Sequence, residues 1–128
     1  MSTSKNMRLY YSNIRSVSQN FDYLEANLNI DNYDLIVLTE AWLSTFSHNN
    51  FVPTLTDFNS FSQLCQHNKA GGIVIYYRNI MNCTKVIIPN FTTFDLMMIH
   101  CKKADFYVIA VYRHYSTKMF KNFLNEFN

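Results

Sequence analysis

The feature that most constrains this chain is a change of hydrophobic period within its first forty residues. "MRLYYSNIRS" (Met7 to Ser16) opens with a short apolar and aromatic run, which reads as a strand ending near Asn13. Beyond it Val17, Phe21, Leu24 and Leu28 fall at intervals of four, three and four, the single stripe of an α-helix. Ser16 or Ser18 is placed to cap the open N–H groups of that helix. Asn32 and Asp34 mark a break, and "LIVL" (Leu35 to Leu38) follows as a continuous apolar strand. Strand, helix and strand make a βαβ unit, whose two strands run parallel and need cover on at least one face.

The remainder is richer in strands. After a polar loop, "NSFSQLCQ" alternates weakly, and "GGIVIYYR" (Gly71 to Arg78) is a strong strand entered through a glycine pair that permits unusual φ. "CTKVIIP" is a strand that stops at Pro89. "FDLMMIHC" and "DFYVIAVYR" are separated by the polar turn Lys102 to Asp105, the pattern of a hairpin. In "STKMFKNFLNEFN", Ser116 is placed as a cap, and Met119, Phe120, Phe123, Leu124 and Phe127 stand at helical spacing. No repeat, low-complexity tract or linker interrupts residues 1–128, so one α/β unit is expected: a twisted mixed sheet with a helix near each end.

Composition sets outer bounds. Hydrophobic residues at 48% against charged ones at 16% describe a globular chain and exclude a disordered one. A net charge of +2 is too mild to argue for nucleic acid and does not argue against it. Eleven Phe and nine Tyr are read as core and strand packing in preference to a base-stacking surface. Cys65, Cys83 and Cys101 form no C-x-x-C pair and leave one odd thiol, which suits a reducing compartment. No signal peptide and no membrane span are read, so a soluble, intracellular protein, nuclear or cytoplasmic and not secreted, is expected.

Glu40 is the first candidate for chemistry. An acid at the C-terminal end of a parallel strand sits where α/β sheets place ligands, and a hard cation such as Mg²⁺ needs only one or two carboxylates because it keeps several waters. The spacing by itself favours the plainer reading, in which Glu40 is the first solvated residue after a buried strand. Asn13, at the matching end of the first strand, either shares that rim or forms a turn before the helix. Tyr112 offers a hydroxyl to a phosphate and Arg113 a bidentate clamp, against a packing role for the tyrosine. His114 adds an acid or base, or is a surface histidine. His48, His67, His100 and Cys65 do not fall at zinc-ligand spacings, and "AGGIV" lacks the pattern of a phosphate-cradling loop.

Taken in order, "LYYSNIRSV", "DLIVLTEAWL", "FNSFSQ", "GGIVIYYR" and "VIAVYRHYS" resemble the endonuclease domain of non-LTR (LINE-like, jockey-type) retrotransposons. That domain belongs to the endonuclease/exonuclease/phosphatase superfamily. The likeness runs from about Leu9 to the end of the chain, and "LTEAWL" with "VYR" is its most telling pair. The resemblance implies the N-terminal half of a DNase I-like four-layer α/β sandwich, and metal-dependent hydrolysis of DNA phosphodiester bonds with Mg²⁺ or Mn²⁺. It assigns Asn13 to organising the active site, Glu40 to the metal, Tyr112 to the scissile phosphate, and Arg113 to the arginine that commonly follows that tyrosine. The family usually continues with prolines where His114 and Tyr115 stand here.

The family's "GDFN"- and "SDH"-type motifs, which supply its aspartate–asparagine and aspartate–histidine pairs, do not follow within these 128 residues. The resemblance therefore implies a partial domain that is inactive as an isolated chain. Alternate residues of "GGIVIYYR" and "DFYVIAVYR" should then form an uncovered sheet face, to be met by self-association or by a complementary half-domain. A non-catalytic, degenerate or domesticated module that binds DNA or protein is the alternative, and a superfamily phosphatase a further one.

Overall fold

The computed structural model describes residues 6–113. The strand β1 (Leu9–Asn13), the helix α1 (Val17–Asn27) and the strand β2 (Leu35–Thr39) form the βαβ unit, with β1 and β2 parallel in the register Leu9 to Leu35 through Asn13 to Thr39. Ser16 caps α1, its Oγ accepting the Gln19 N–H at 3.2 Å. Val17 and Phe21 are buried, and Leu24 and Leu28 are half-buried, so the helical stripe faces the sheet as its spacing predicts.

Strand β3 (Phe58–Gln63) and strand β4 (Ile73–Arg78) complete a four-stranded mixed sheet in the order β1-β2-β4-β3. Here the structure corrects the expectation of a single sheet. Strand β5 (Cys83–Lys85), strand β6 (Phe94–Cys101) and strand β7 (Phe106–Arg113) form a separate antiparallel sheet in the order β5-β6-β7. β5 is shorter than "CTKVIIP" implied: Val86 N–H still bonds Met98 O at 2.9 Å, but Ile87 is almost fully exposed before Pro89 removes a donor. The β6–β7 hairpin forms as expected, Cys101 opposite Phe106 and Phe94 opposite Arg113.

The two sheets pack face to face, which divides the interior into two cores. Ile36, Leu38, Val74 and Tyr76 face α1 and its residues Val17 and Phe21. The alternate residues Leu35, Val37, Ile73, Ile75 and Tyr77 face Met97, Ile99, Cys101 and Ala110 of the second sheet. β2 and β4 are thus buried on both sides, which is why both read as continuous apolar runs and not as alternating ones. The architecture is a small α/β domain layered helix, sheet, sheet.

This also corrects the expected open face for one of its two strands. The inward residues of "GGIVIYYR" are covered, whereas on β7 the alternate residues Tyr107, Ile109 and Val111 are exposed on the outer side. The helix read after Ser116 lies outside the described residues. No helix among the described residues is long and apolar enough to cross a membrane.

Depth in the second core should set the cost of truncation. Ile75→Ala, at a fully buried position, is expected to cost about 2–5 kcal/mol in a urea unfolding curve. Ile109→Ala, on the outer face at 54% exposure, should stay within about 0.5 kcal/mol. Equal costs would contradict the sandwich.

Candidate functional site

The site is built where β2 runs out. Glu40 adopts a left-handed conformation (φ 50), and so does Trp42 (φ 59), which turns the chain sharply off the strand. Neighbouring segments hold this exit. Ser16 N–H bonds Glu40 O at 2.9 Å and Val17 N–H bonds Ala41 O at 3.0 Å, tying it to the start of α1. Ala41 N–H reaches Gly72 O and Leu43 N–H reaches Gly71 O, both at 3.1 Å, tying it to the entry of β4. Gly72 has φ 101, and a Cβ there would stand 2.5 Å from Leu43 O, so the close approach of these two segments requires a glycine.

Tyr112 comes to this rim from the other sheet. On β7 the side chains of Phe106, Val108, Ala110 and Tyr112 alternate inward, opposite Cys101, Ile99, Met97 and Asp95 of β6. Tyr112 ends this row, and its hydroxyl donates to Glu40 Oε1 at 3.2 Å. This is the central observation at the site: two residues singled out from blocks far apart in sequence meet across the sheets.

The electrostatics follow from that placement. Burial pushes the Tyr112 hydroxyl up to about 12, and the charge of Glu40, the hydrogen bond to it, and the charges of Cys65 and Asp95 push in the same direction. Tyr112 is thus a neutral donor beside a carboxylate, and the shift extends that state into alkaline solution.

Asn13 is exposed at the end of β1, paired in register with Thr39, the residue before Glu40. Ile14 N–H continues the pairing to Thr39 O at 2.9 Å, so Asn13 and Glu40 lie on one rim. Thr39 is itself buried and its Oγ1 hydrogen-bonds the Tyr11 hydroxyl at 2.8 Å. Arg113 is a different case. Strand alternation sends its side chain to the face of β7 opposite Tyr112, so the two do not form a same-face clamp from the strand. His114 lies outside the described residues. The other histidines are dispersed: His67 Nε2 pairs with Phe91 O at 3.0 Å, His100 with Asp105 at 3.0 Å, and His48 sits in an exposed loop.

Asp95 is the residue that the motif reading missed. It is a buried acid on β6, directly opposite Tyr112 and on the same inward face. Gly71 leaves room beside it, since a Cβ there would stand 3.2 Å from Asp95 Oδ2 and 2.5 Å from Cys65 Sγ. The Cys65 thiol is raised first by its own burial, with Asp95 adding to the shift. Asn68 shapes the turn around these groups, its Oδ1 accepting from Ala70 N–H at 3.0 Å and Gly71 N–H at 2.8 Å. The signal was present: Asp95 is in phase with Met97, Ile99 and Cys101, the inward residues of its strand.

The half-buried carboxylate of this rim is that of Glu40, whose Oε1 already accepts the Tyr112 hydroxyl. Glu40 presents carboxylate oxygens on a half-buried rim, and Mg²⁺ accepts such a ligand with waters and phosphate oxygens filling its other positions. Among the described residues no group of three or more His, Cys, Asp or Glu side chains is placed to hold a metal ion, so a cage made wholly of protein ligands is not what this rim offers. No protein-family model matches the chain, and no curated protein matches it.

Tyr112 gives the site a measurable signature. Its resonance in [¹³C]tyrosine-labelled protein should titrate near 12 and move down toward 10.0 in Glu40→Gln; a resonance titrating near 10.0 in both would contradict the arrangement. Linkage fixes the sign for stability. Tyr112 is raised from 10.0 to about 12 and the Cys83 thiol from 9.0 to about 12, so the folded chain binds more protons than the unfolded one in that interval. Their contribution is complete below pH 9.0 and is lost as pH climbs through about 12. The urea midpoint should fall between about pH 8 and about pH 11, and should fall less in Tyr112→Phe.

Proposed function

We propose that this chain carries the glutamate–tyrosine half of a metal-dependent phosphodiesterase site, of the endonuclease/exonuclease/phosphatase type and nearest to the retrotransposon endonucleases, with DNA as substrate. The observation that supports this reading is the hydrogen bond from the Tyr112 hydroxyl to Glu40 Oε1 at 3.2 Å. It joins "LTEAWL" to "VYR", the two blocks on which the resemblance leans most. The helix–sheet–sheet layering is consistent with a DNase I-like sandwich, and the reading adds a fourth layer on the outer face of the second sheet.

In this reading Glu40 is the carboxylate ligand of Mg²⁺ or Mn²⁺, and the bound cation would supply charge neutralisation at the scissile phosphate. Tyr112 would turn its single hydroxyl proton from Glu40 to a phosphate oxygen once the carboxylate is engaged by the cation, and Asn13 orients the rim. The pairs that the family uses to position and activate water come from motifs not present in the 128 residues. The proposal is accordingly one of metal and phosphate binding, with strand cleavage at background.

Two measurements test it. Mn²⁺ binding followed by electron paramagnetic resonance should weaken roughly tenfold or more in Glu40→Ala; identical binding in both proteins would remove Glu40 from the metal site. A plasmid-nicking assay with Mg²⁺ or Mn²⁺ should show no more nicking by the wild type than by Glu40→Ala. Robust nicking abolished by that substitution would overturn the inactivity and keep the site.

One observation favours a second reading, a non-catalytic module that associates through its sheet. Tyr107, Ile109 and Val111 are exposed on β7, the end strand of its sheet among the described residues. Light scattering should then give a mass above that of one chain, and Ile109→Lys should return it to the monomer. A monomeric wild type would count against this reading.

A further inference from the structure

Apart from the rim, the second sheet holds a pair of thiols that the proposed function does not use. Cys83, the first residue of β5, and Cys101, the last residue of β6, are direct register partners in an antiparallel pair. Their Sγ atoms lie 2.9 Å apart. Directly opposed residues in such a pair have Cα atoms roughly 4.5–5.5 Å apart, inside the roughly 4.4–6.8 Å that a disulfide bridges. The backbone is therefore already placed for a covalent bond between these two sulfurs.

We propose that Cys83 and Cys101 are a dithiol–disulfide couple, an intramolecular oxidation site that staples β5 to β6 when a low-molecular-weight disulfide such as glutathione disulfide is present. Both thiols are buried, Cys83 at 7% and Cys101 at 0% exposure, and Cys83 attacks first because it opens the three-residue strand β5, whose fraying at the sheet edge uncovers it. The Cys83 thiolate attacks one sulfur of glutathione disulfide, forming a mixed disulfide and expelling one glutathione thiolate. The Cys101 thiolate then attacks Cys83 Sγ and expels the second. The two protein thiol protons end on the two expelled glutathiones. Two S–H bonds are lost, one protein S–S bond forms, and the S–S bond of the oxidant is reduced to two thiols.

Burial restrains the reaction in the closed fold. It raises both thiols, while the hydrogen bond between them raises Cys83 further and draws Cys101 down, so little thiolate is present until β5 frays and breaks that bond. Tyr77 is the titratable neighbour, and the charges of both thiols contribute to its own upward shift after burial. Cys65 stands elsewhere, its Sγ accepting the His67 N–H at 3.4 Å and donating to Asn68 Oδ1 at 3.8 Å. It serves as the internal control.

The test refolds the full chain from denaturant in mixtures of glutathione and glutathione disulfide, which removes access as a variable. Free thiols are then trapped with N-ethylmaleimide and peptides mapped by mass spectrometry. The Cys83–Cys101 bond is expected in roughly tenfold or greater excess over either pairing with Cys65. Cys65→Ser should leave that bond intact, and the oxidised protein should melt at a higher temperature than the reduced one. Cys83→Ser should leave Cys101 either free or carrying glutathione. A statistical mixture of the three pairings would overturn the assignment, as would persistent glutathione adducts in the wild type. So would three free thiols at every glutathione ratio.

Discussion

Everything in this domain depends on two neighbouring strands that have no solvent side. β2 and β4 run antiparallel through the middle of the molecule, and their alternate residues go to different cores: Ile36, Leu38, Val74 and Tyr76 toward the helix, Leu35, Val37, Ile73 and Ile75 toward the second sheet. Burial on both faces places the strands in the interior without fixing their neighbours. Both cores must form for either strand to be satisfied, so the helix and the second sheet are coupled through a single pair of strands.

That coupling explains why a polar rim can exist at all. Where the inward rows of the two sheets end, apolar side chains give way to Thr39, Glu40, Tyr112 and Asp95. Leaving a carboxylate at the edge of a low-dielectric interior is costly unless it accepts hydrogen bonds, and Tyr112 supplies one. The left-handed backbone at Glu40 is the other cost, and the hydrogen bonds to α1 and to the glycine pair hold it in place.

Local patterns made much of this legible in advance. The helix from Val17, a serine cap at its start, the parallel pairing of β1 with β2 and the β6–β7 hairpin all follow from period and turn chemistry over short spans, the structure choosing Ser16 over Ser18. The four-residue turn at residues 102–105 even fixes the hairpin register, and so the meeting of Asp95 with Tyr112, although the motif reading passed Asp95 by. The division into two sheets was not legible, because it is decided by which strands stack and not by which residues are apolar. Ile73, Ile75 and Tyr77 read as a face needing cover, but nothing within their own strand says that Met97 and Ile99 provide it. The length of β5 escaped for a related reason: "VIIP" has the composition of a strand but little to pair with beyond Val86. Arg113 sits beside Tyr112 in sequence, and only the alternation of an actual strand separates their faces.

The hydrogen bond between Tyr112 and Glu40 spans a sequence separation of 72 residues and joins two different sheets. Such a contact gains nothing until the entropy of closing the intervening loop has been overcome, so it belongs to the non-local contacts that slow folding rather than to those that nucleate it. The rim is consequently a product of docking, with no element able to assemble it alone. Whatever loosens one sheet on the other, by truncating a side chain at their interface or by adding alkali, withdraws the hydroxyl from the carboxylate at the same time. The integrity of the candidate site and the closure of the sandwich are the same physical event.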